Sequence, residues 1–233
     1  MAIVLKKIKK IFSNAFSRPK VIICWTIVTI GVLTVALLLT GCGLQNLGWQ
    51  NLFLDVGPAW SPDGSKIAFI KTSYYQQGSN WGVIWVMNAD GSNKIKLTDD
   101  TEKLNSPAWS PDGSKIAFSS MNNRESFDIW VMNADGSNKV KFNNKISAFS
   151  PAWSPDGSKI VFGVAYAANS DIWVMNADGS NKINLTNKLG DYWGPAWSPD
   201  GSKIAFVSQQ KESKINFFVI NADGGNKINL TGN

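Results

Sequence analysis

Asp99-Asp100-Thr101-Glu102 sets three carboxylates within four residues, a grouping that suggests the acid and base of glycoside hydrolysis. That chemistry needs two carboxyl groups held apart across a cleft, which neighbours on one loop do not supply, so the segment reads as a solvated acidic loop. Asn-Ala-Asp-Gly-Ser-Asn, as at 88–93, has the polar character of a calcium loop. Calcium takes about six to eight oxygens and each copy brings one carboxylate, so the Asp is read as a turn cap. The chain has no His, which excludes Ser-His-Asp and Cys-His catalysis and His-based zinc sites. Its two Cys, Cys24 and Cys42, are too few for a disulfide framework or a thiolate cage. No catalytic residue, metal site or cofactor is therefore expected.

Charge is unevenly placed. Lys6, Lys7, Lys9, Lys10, Arg18 and Lys20 account for the whole formal excess of +6, and residues 42–233 carry 17 basic and 17 acidic side chains. A neutral body gives no electrostatic reason to bind nucleic acid. After the basic start, Val21–Leu39 is a run of 19 residues without charge, followed by Leu39-Thr40-Gly41-Cys42. A basic start, an apolar run and small residues before a cut site make a secretory signal peptide. The last four residues resemble a bacterial lipobox, which implies cleavage before Cys42, lipid on its sulfur and attachment to the cell membrane or outer membrane. An uncleaved anchor is the alternative, since about 20 apolar residues span a bilayer core. In both cases the positive-inside rule puts the residues after 42 on the extracytoplasmic side. The expected parts are a signal peptide at 1–41, a tether at 42–56 and a folded body at 57–233.

The body is repetitive. Pro-Ala-Trp recurs at Pro58, Pro107, Pro151 and Pro195, spaced by 49, 44 and 44 residues, and each copy continues as Ser-Pro-Asp-Gly-Ser-Lys-Ile-(Ala/Val)-Phe. Ile-Trp-Val-Met-Asn-Ala-Asp-Gly-Ser-Asn-Lys follows at Ile84, Ile129 and Ile172, and drifts to Phe217-Phe218-Val219-Ile220-Asn221-Ala222-Asp223-Gly224-Gly225-Asn226-Lys227 in the last copy. Each unit reads as four short strands, with Pro-Asp-Gly and Asn-Ala-Asp-Gly as turns whose Gly takes a positive φ. Four strands in roughly 44 residues, repeated, describe propeller blades. The repeats, at about 57–98, 106–143, 150–186 and 194–233, resemble the WD-like units of the TolB β-propeller family, P-x-W-S-P-D-G-x-x-I-A-F followed by D-I-W. The expected fold is all-β, a propeller of four four-stranded blades closing as a small ring. An open arc paired with a second copy is the other arrangement, and the oligomeric state stays open. TolB itself resembles the chain only partly: it has six blades and a preceding α/β domain.

Trp60, Trp109, Trp153 and Trp197 share one repeat position, and Trp85, Trp130 and Trp173 share another, where Phe218 stands in the last unit. Rings at the same place in every blade most simply fill the gap between sheets, rather than stacking sugars. Asp128 and Asp171 match the family's D-I-W and are read as local caps. Up-and-down strands place the invariant turns at one end of the blades and the variable connections at the other. Binding residues concentrate on loops held by a rigid scaffold. The candidate binding face is Tyr74, Tyr75, Trp81, Asp99, Asp100, Arg124, Tyr166, Asp191, Tyr192 and Trp193. Together these readings describe a non-enzymatic, lipid-anchored module for a protein or envelope-glycan partner. The alternative is a polysaccharide-acting or peptidase-associated propeller component, disfavoured by the lack of His and of a G-x-S-x-G elbow.

Overall fold

The computed structural model describes residues 53–73, 82–99, 102–121, 126–142, 147–167, 169–187, 190–209 and 215–231. The leader, Cys42 and the tether as far as residue 52 lie outside them, while residues 53–56 of the expected tether already belong to the first strand. The described residues form four antiparallel four-stranded sheets, each built from one repeat. The first holds β1 (Phe53–Trp60), β2 (Lys66–Ser73), β3 (Val83–Asn88) and β4 (Ile95–Lys96). The second holds β5 (Leu104–Trp109), β6 (Lys115–Met121), β7 (Phe127–Asn133) and β8 (Val140–Phe142). The third holds β9 (Ser147–Trp153), β10 (Lys159–Ala165), β11 (Ser170–Asn176) and β12 (Ile183–Asn184). The fourth holds β13 (Tyr192–Trp197), β14 (Lys203–Gln209), β15 (Ile215–Asn221) and β16 (Ile228–Asn229).

Turn chemistry sets the register. In the Pro-Asp-Gly turns Gly64, Gly113, Gly157 and Gly201 take φ between 69° and 72°, a conformation that favours glycine. The Asp braces each turn: Asp63 Oδ1 accepts from Ser61 Oγ at 2.6 Å and from the Ser65 amide at 3.0 Å, and the same bonds recur at Asp112, Asp156 and Asp200. These hydrogen bonds, the Ser hydroxyl first, hold the four carboxyls down at a pKa of about 2. In the second hairpins the Asp also acts within the turn: Asp90 Oδ1 accepts from the Ser92 amide at 2.9 Å.

Strand alternation then sorts each sheet into two apolar faces. One carries Ala68, Ile70, Ile84 and Val86 in the first sheet, and it packs against Leu104, Ile116, Phe118 and Met132 of the second. The same arrangement joins the second sheet to the third and the third to the fourth. Three of the four Pro-Ala-Trp rings sit in these seams: Trp109 Nε1 donates to the Ala59 carbonyl at 3.1 Å, and Trp153 and Trp197 repeat the bond to Ala108 and Ala152, whereas Trp60, on the first sheet, is 58% exposed rather than packed between sheets. The first strands β5, β9 and β13 each run close to the preceding sheet, whereas the backbones of β4, β8, β12 and β16 lie close only to the third strand of their own. The first strands are thus the inner edge and the fourth strands the outer.

Among the described residues no strand of the fourth sheet touches the first. The closing contact of the small ring expected from the repeats is therefore not seen among these residues, and the sheets follow one another in a row. Closure depends on the angle between stacked sheets, which no single repeat encodes.

Candidate functional site

Among the described residues, the variable end of the row carries a recess into which several expected binding residues converge. It has a volume of about 390 Å³ and lies between the third and fourth sheets. The β10–β11 connection supplies Tyr166 and Asn169, the connection into β13 supplies Asp191, and Trp193 enters from β13 itself. Phe149 of β9 forms the remaining aromatic wall. The two connections are tied together: Asp191 pairs with Ser170 as a parallel bridge, and Ser170 Oγ lies 2.5 Å from Asp191 Oδ1 and 2.8 Å from the Tyr192 carbonyl. The Tyr166 amide donates to the Asn169 carbonyl at 2.7 Å, closing the tip of the first connection. Burial is the largest influence on the Tyr166 hydroxyl and raises its pKa, with the charge of nearby Asp171 adding to the rise, so it stays a neutral phenol.

Beneath the recess, Asp171 is fully buried and engaged. It accepts from Thr186 Oγ1 at 2.9 Å and from Asn184 Nδ2 at 2.8 Å, while Thr186 Oγ1 accepts the Ile172 amide at 3.0 Å. Asp128 is buried too and pairs with Lys141 Nζ at 2.7 Å. Both were expected to be local caps; instead each reaches across to the fourth strand of its sheet. Asn216 takes the same role in the last sheet, accepting from Thr231 Oγ1 at 3.3 Å.

The expected face divides. Tyr166, Asp191 and Trp193 meet in the recess. Tyr192 does not: only 4% exposed, it packs edge-on against Phe206 and Phe218, and its hydroxyl accepts from Lys227 Nζ at 2.9 Å. Asp99 is exposed on the connection between the first and second sheets and is not part of the recess. Tyr74, Tyr75, Trp81, Asp100 and Arg124 lie outside the described residues. Glu102 of the acidic loop is paired with Lys139 Nζ at 2.7 Å. Sequence reasoning passed over Asn169, Ser170 and Phe149. The pairing of Ser170 with Asp191 joins residues 21 apart, which no local pattern announces.

Chemically the recess offers two aromatic faces, a phenol, an amide and one exposed carboxylate. Among the described residues no group of three or more His, Cys, Asp or Glu side chains could hold a metal ion. Such a lining suits recognition by stacking and hydrogen bonding.

The TolB beta propeller domain family matches residues 65–233, and the chain belongs to that family. No curated protein matches the chain significantly. Among solved structures it is similar to TolB from Acinetobacter baumannii, with 23% identity and a TM-score of 0.63 over 77% of this chain and 44% of that one. It also resembles an oligogalacturonate lyase from Vibrio parahaemolyticus, at 17% identity and TM-score 0.60 over 76% of this chain and 54% of the lyase. A third likeness is the β-propeller domain of the Trilobed protease from Pyrococcus furiosus, described as having an open velcro topology. Identity there is 17% and the TM-score 0.51, over 77% of this chain and 57% of that one. The chain thus spans less than half of the Acinetobacter TolB structure, and these likenesses concern the fold.

Proposed function

We propose that this protein is a non-enzymatic binding module on the extracytoplasmic face of a bacterial membrane, anchored by lipid on Cys42, which engages a protein or envelope glycan through the recess between its third and fourth blades. The observation that carries the reading is the convergence of Tyr166, from the β10–β11 connection, with Asp191 and Trp193, from the start of β13, on one exposed recess. Aromatic side chains held on a rigid scaffold supply contact area at little entropic loss, and such residues dominate binding energy. The formal neutrality of residues 42–233 favours a partner selected by shape and hydrogen bonding rather than by long-range charge.

Two measurements test it. The intact mass of protein extracted from membranes should correspond to a chain beginning at Cys42 with acyl groups attached; a mass including residues 1–41 would replace lipidation with a retained anchor. Sedimentation of the full chain with purified peptidoglycan sacculi tests the glycan arm. Retention should fall at least about tenfold in Tyr166→Ala/Trp193→Ala, the scale of two aromatic contacts. Equal retention of parent and variant would remove the recess as the glycan site.

A further inference from the structure

The recess between the third and fourth sheets is lined by three aromatic side chains, Phe149, Tyr166 and Trp193, and by a single carboxylate, Asp191. Among the described residues no Lys or Arg lines it, and no cation is paired with Asp191. Asp191 is nonetheless held in place. The Ser170 hydroxyl has one proton, and Asp191 Oδ1 at 2.5 Å and the Tyr192 carbonyl at 2.8 Å compete for it. Ser170 is therefore committed to its neighbours. The carboxylate, which accepts at about four positions, keeps capacity for further N–H donors.

The other two described seams do not repeat this chemistry. Strand register equates Trp193 with Asn105 and Phe149, and the residues two places earlier are Asp191, Lys103 and Ser147. The corresponding place between the first and second sheets thus carries a positive charge and an amide. Between the second and third it carries a hydroxyl and a ring. Carboxylate and indole stand together only at the seam that holds the recess.

We propose that the recess takes the alkylammonium group of a lysine side chain on a protein partner, with the aromatic rings around it and Asp191 accepting its N–H bonds. The inference rests on the reading of the recess as the binding site and names the chemistry selected there. Aromatic faces are negative and attract a cation, and a carboxylate adds a charge-assisted bond. Covering Asp191 with a neutral sugar would desolvate a charge without supplying its opposite, which is costly, whereas an ammonium supplies it. Because Oδ1 already holds Ser170, the point charge of an ammonium suits the site better than the two-pronged guanidinium of arginine. The volume of about 390 Å³ lies at the small end of ligand sites, as befits one side chain rather than an extended polymer. The contact is short-range, so the formal neutrality of residues 42–233 does not oppose it.

The test is fluorine NMR of the full chain carrying 5-fluorotryptophan, in micelles of an uncharged polyoxyethylene detergent. The Trp193 signal is assigned by its loss in Trp193→Phe. Three probes are titrated: Nα-acetyl-lysine amide, its uncharged counterpart Nα-acetyl-norleucine amide, and the neutral sugar N,N′-diacetylchitobiose. The Trp193 signal should move with the lysine amide, at a midpoint at least about fivefold lower than with the norleucine amide, the scale of one cation–π contact. Asp191→Asn keeps an acceptor for Ser170 and should abolish that preference while the other fluorotryptophan signals stay in place. Equal midpoints for the two amides, a lower midpoint for the sugar, or a preference that survives Asp191→Asn would each overturn the ammonium assignment while leaving the recess as the site. A Trp193 signal that none of the probes moves would overturn the assignment too. Joined with equal retention of parent and Tyr166→Ala/Trp193→Ala on sacculi, it would also remove the reading beneath it.

Discussion

At the scale of single residues, the repeated Asp of Pro-Asp-Gly is the point where sequence, geometry and pH response meet. Asp63, Asp112, Asp156 and Asp200 have folded pKa values of about 2 against an ordinary 3.8. A depressed folded value means that the unfolded chain takes up protons first as the pH falls. The stability from these turns is therefore complete above about pH 5 and is lost as the pH drops through the ordinary value toward 2. Urea unfolding followed at pH 7, 5.5 and 2.5 should show little change between the first two and a marked fall at the third. Asn at all four positions should flatten that fall, and an unchanged fall would assign the acid sensitivity elsewhere. Asp171 is a different case, being buried with two partners. Asp171→Ala strands Thr186 and Asn184 and should destabilise by about 2–3 kcal/mol in the same assay. A loss near zero would mean that the cross-strand bonds are not formed in solution.

At the scale of elements, the seams make distinct demands on residues of the same type. Gly91 and Gly179 hold equivalent turn positions at φ 83° and 84°, so Ala strains the backbone equally at both. Only at Gly179 would the new Cβ also run into Phe142, whereas at Gly91 it meets open space. Gly179→Ala should therefore exceed Gly91→Ala in destabilisation by at least about 1 kcal/mol, the scale of overpacking, measured by denaturant titration. Equal effects would show that the second and third sheets do not meet as described. Trp153 contributes both volume and a bond to Ala108. Trp153→Phe should lose about 1 kcal/mol and Trp153→Ala about 3 kcal/mol. These elements were legible in the sequence because a four-fold repeat states each strand and turn four times. Tyr192 was not legible, and the reason is periodicity: β13 begins at Tyr192, so adjacent residues point to opposite faces. Tyr192 turns into the seam and Trp193 into the recess, a distinction that a reading of both as loop residues could not make. The roles of Asp128 and Asp171 were hidden for a related reason, since their partners lie across the sheet rather than along the chain.

At the scale of the whole molecule, the repeats foretold the number and kind of sheets but not how the row ends. Each seam is a local pairing of two faces, and the small rotation between sheets accumulates only along the complete row. The recess is likewise a product of assembly, because its residues come from two sheets and from connections that differ between copies. What the fold supplies is a constant turn end, on which the four blades are alike, and a variable end, on which they differ. The account holds that recognition belongs to the variable end. A photo-reactive amino acid placed at Trp193 in living cells, with the same group at Ser114 on the turn end as comparison, tests this directly. The account predicts adducts with another envelope component at Trp193 and none above background at Ser114. Adducts at Ser114 alone would contradict it and move recognition to the turn end.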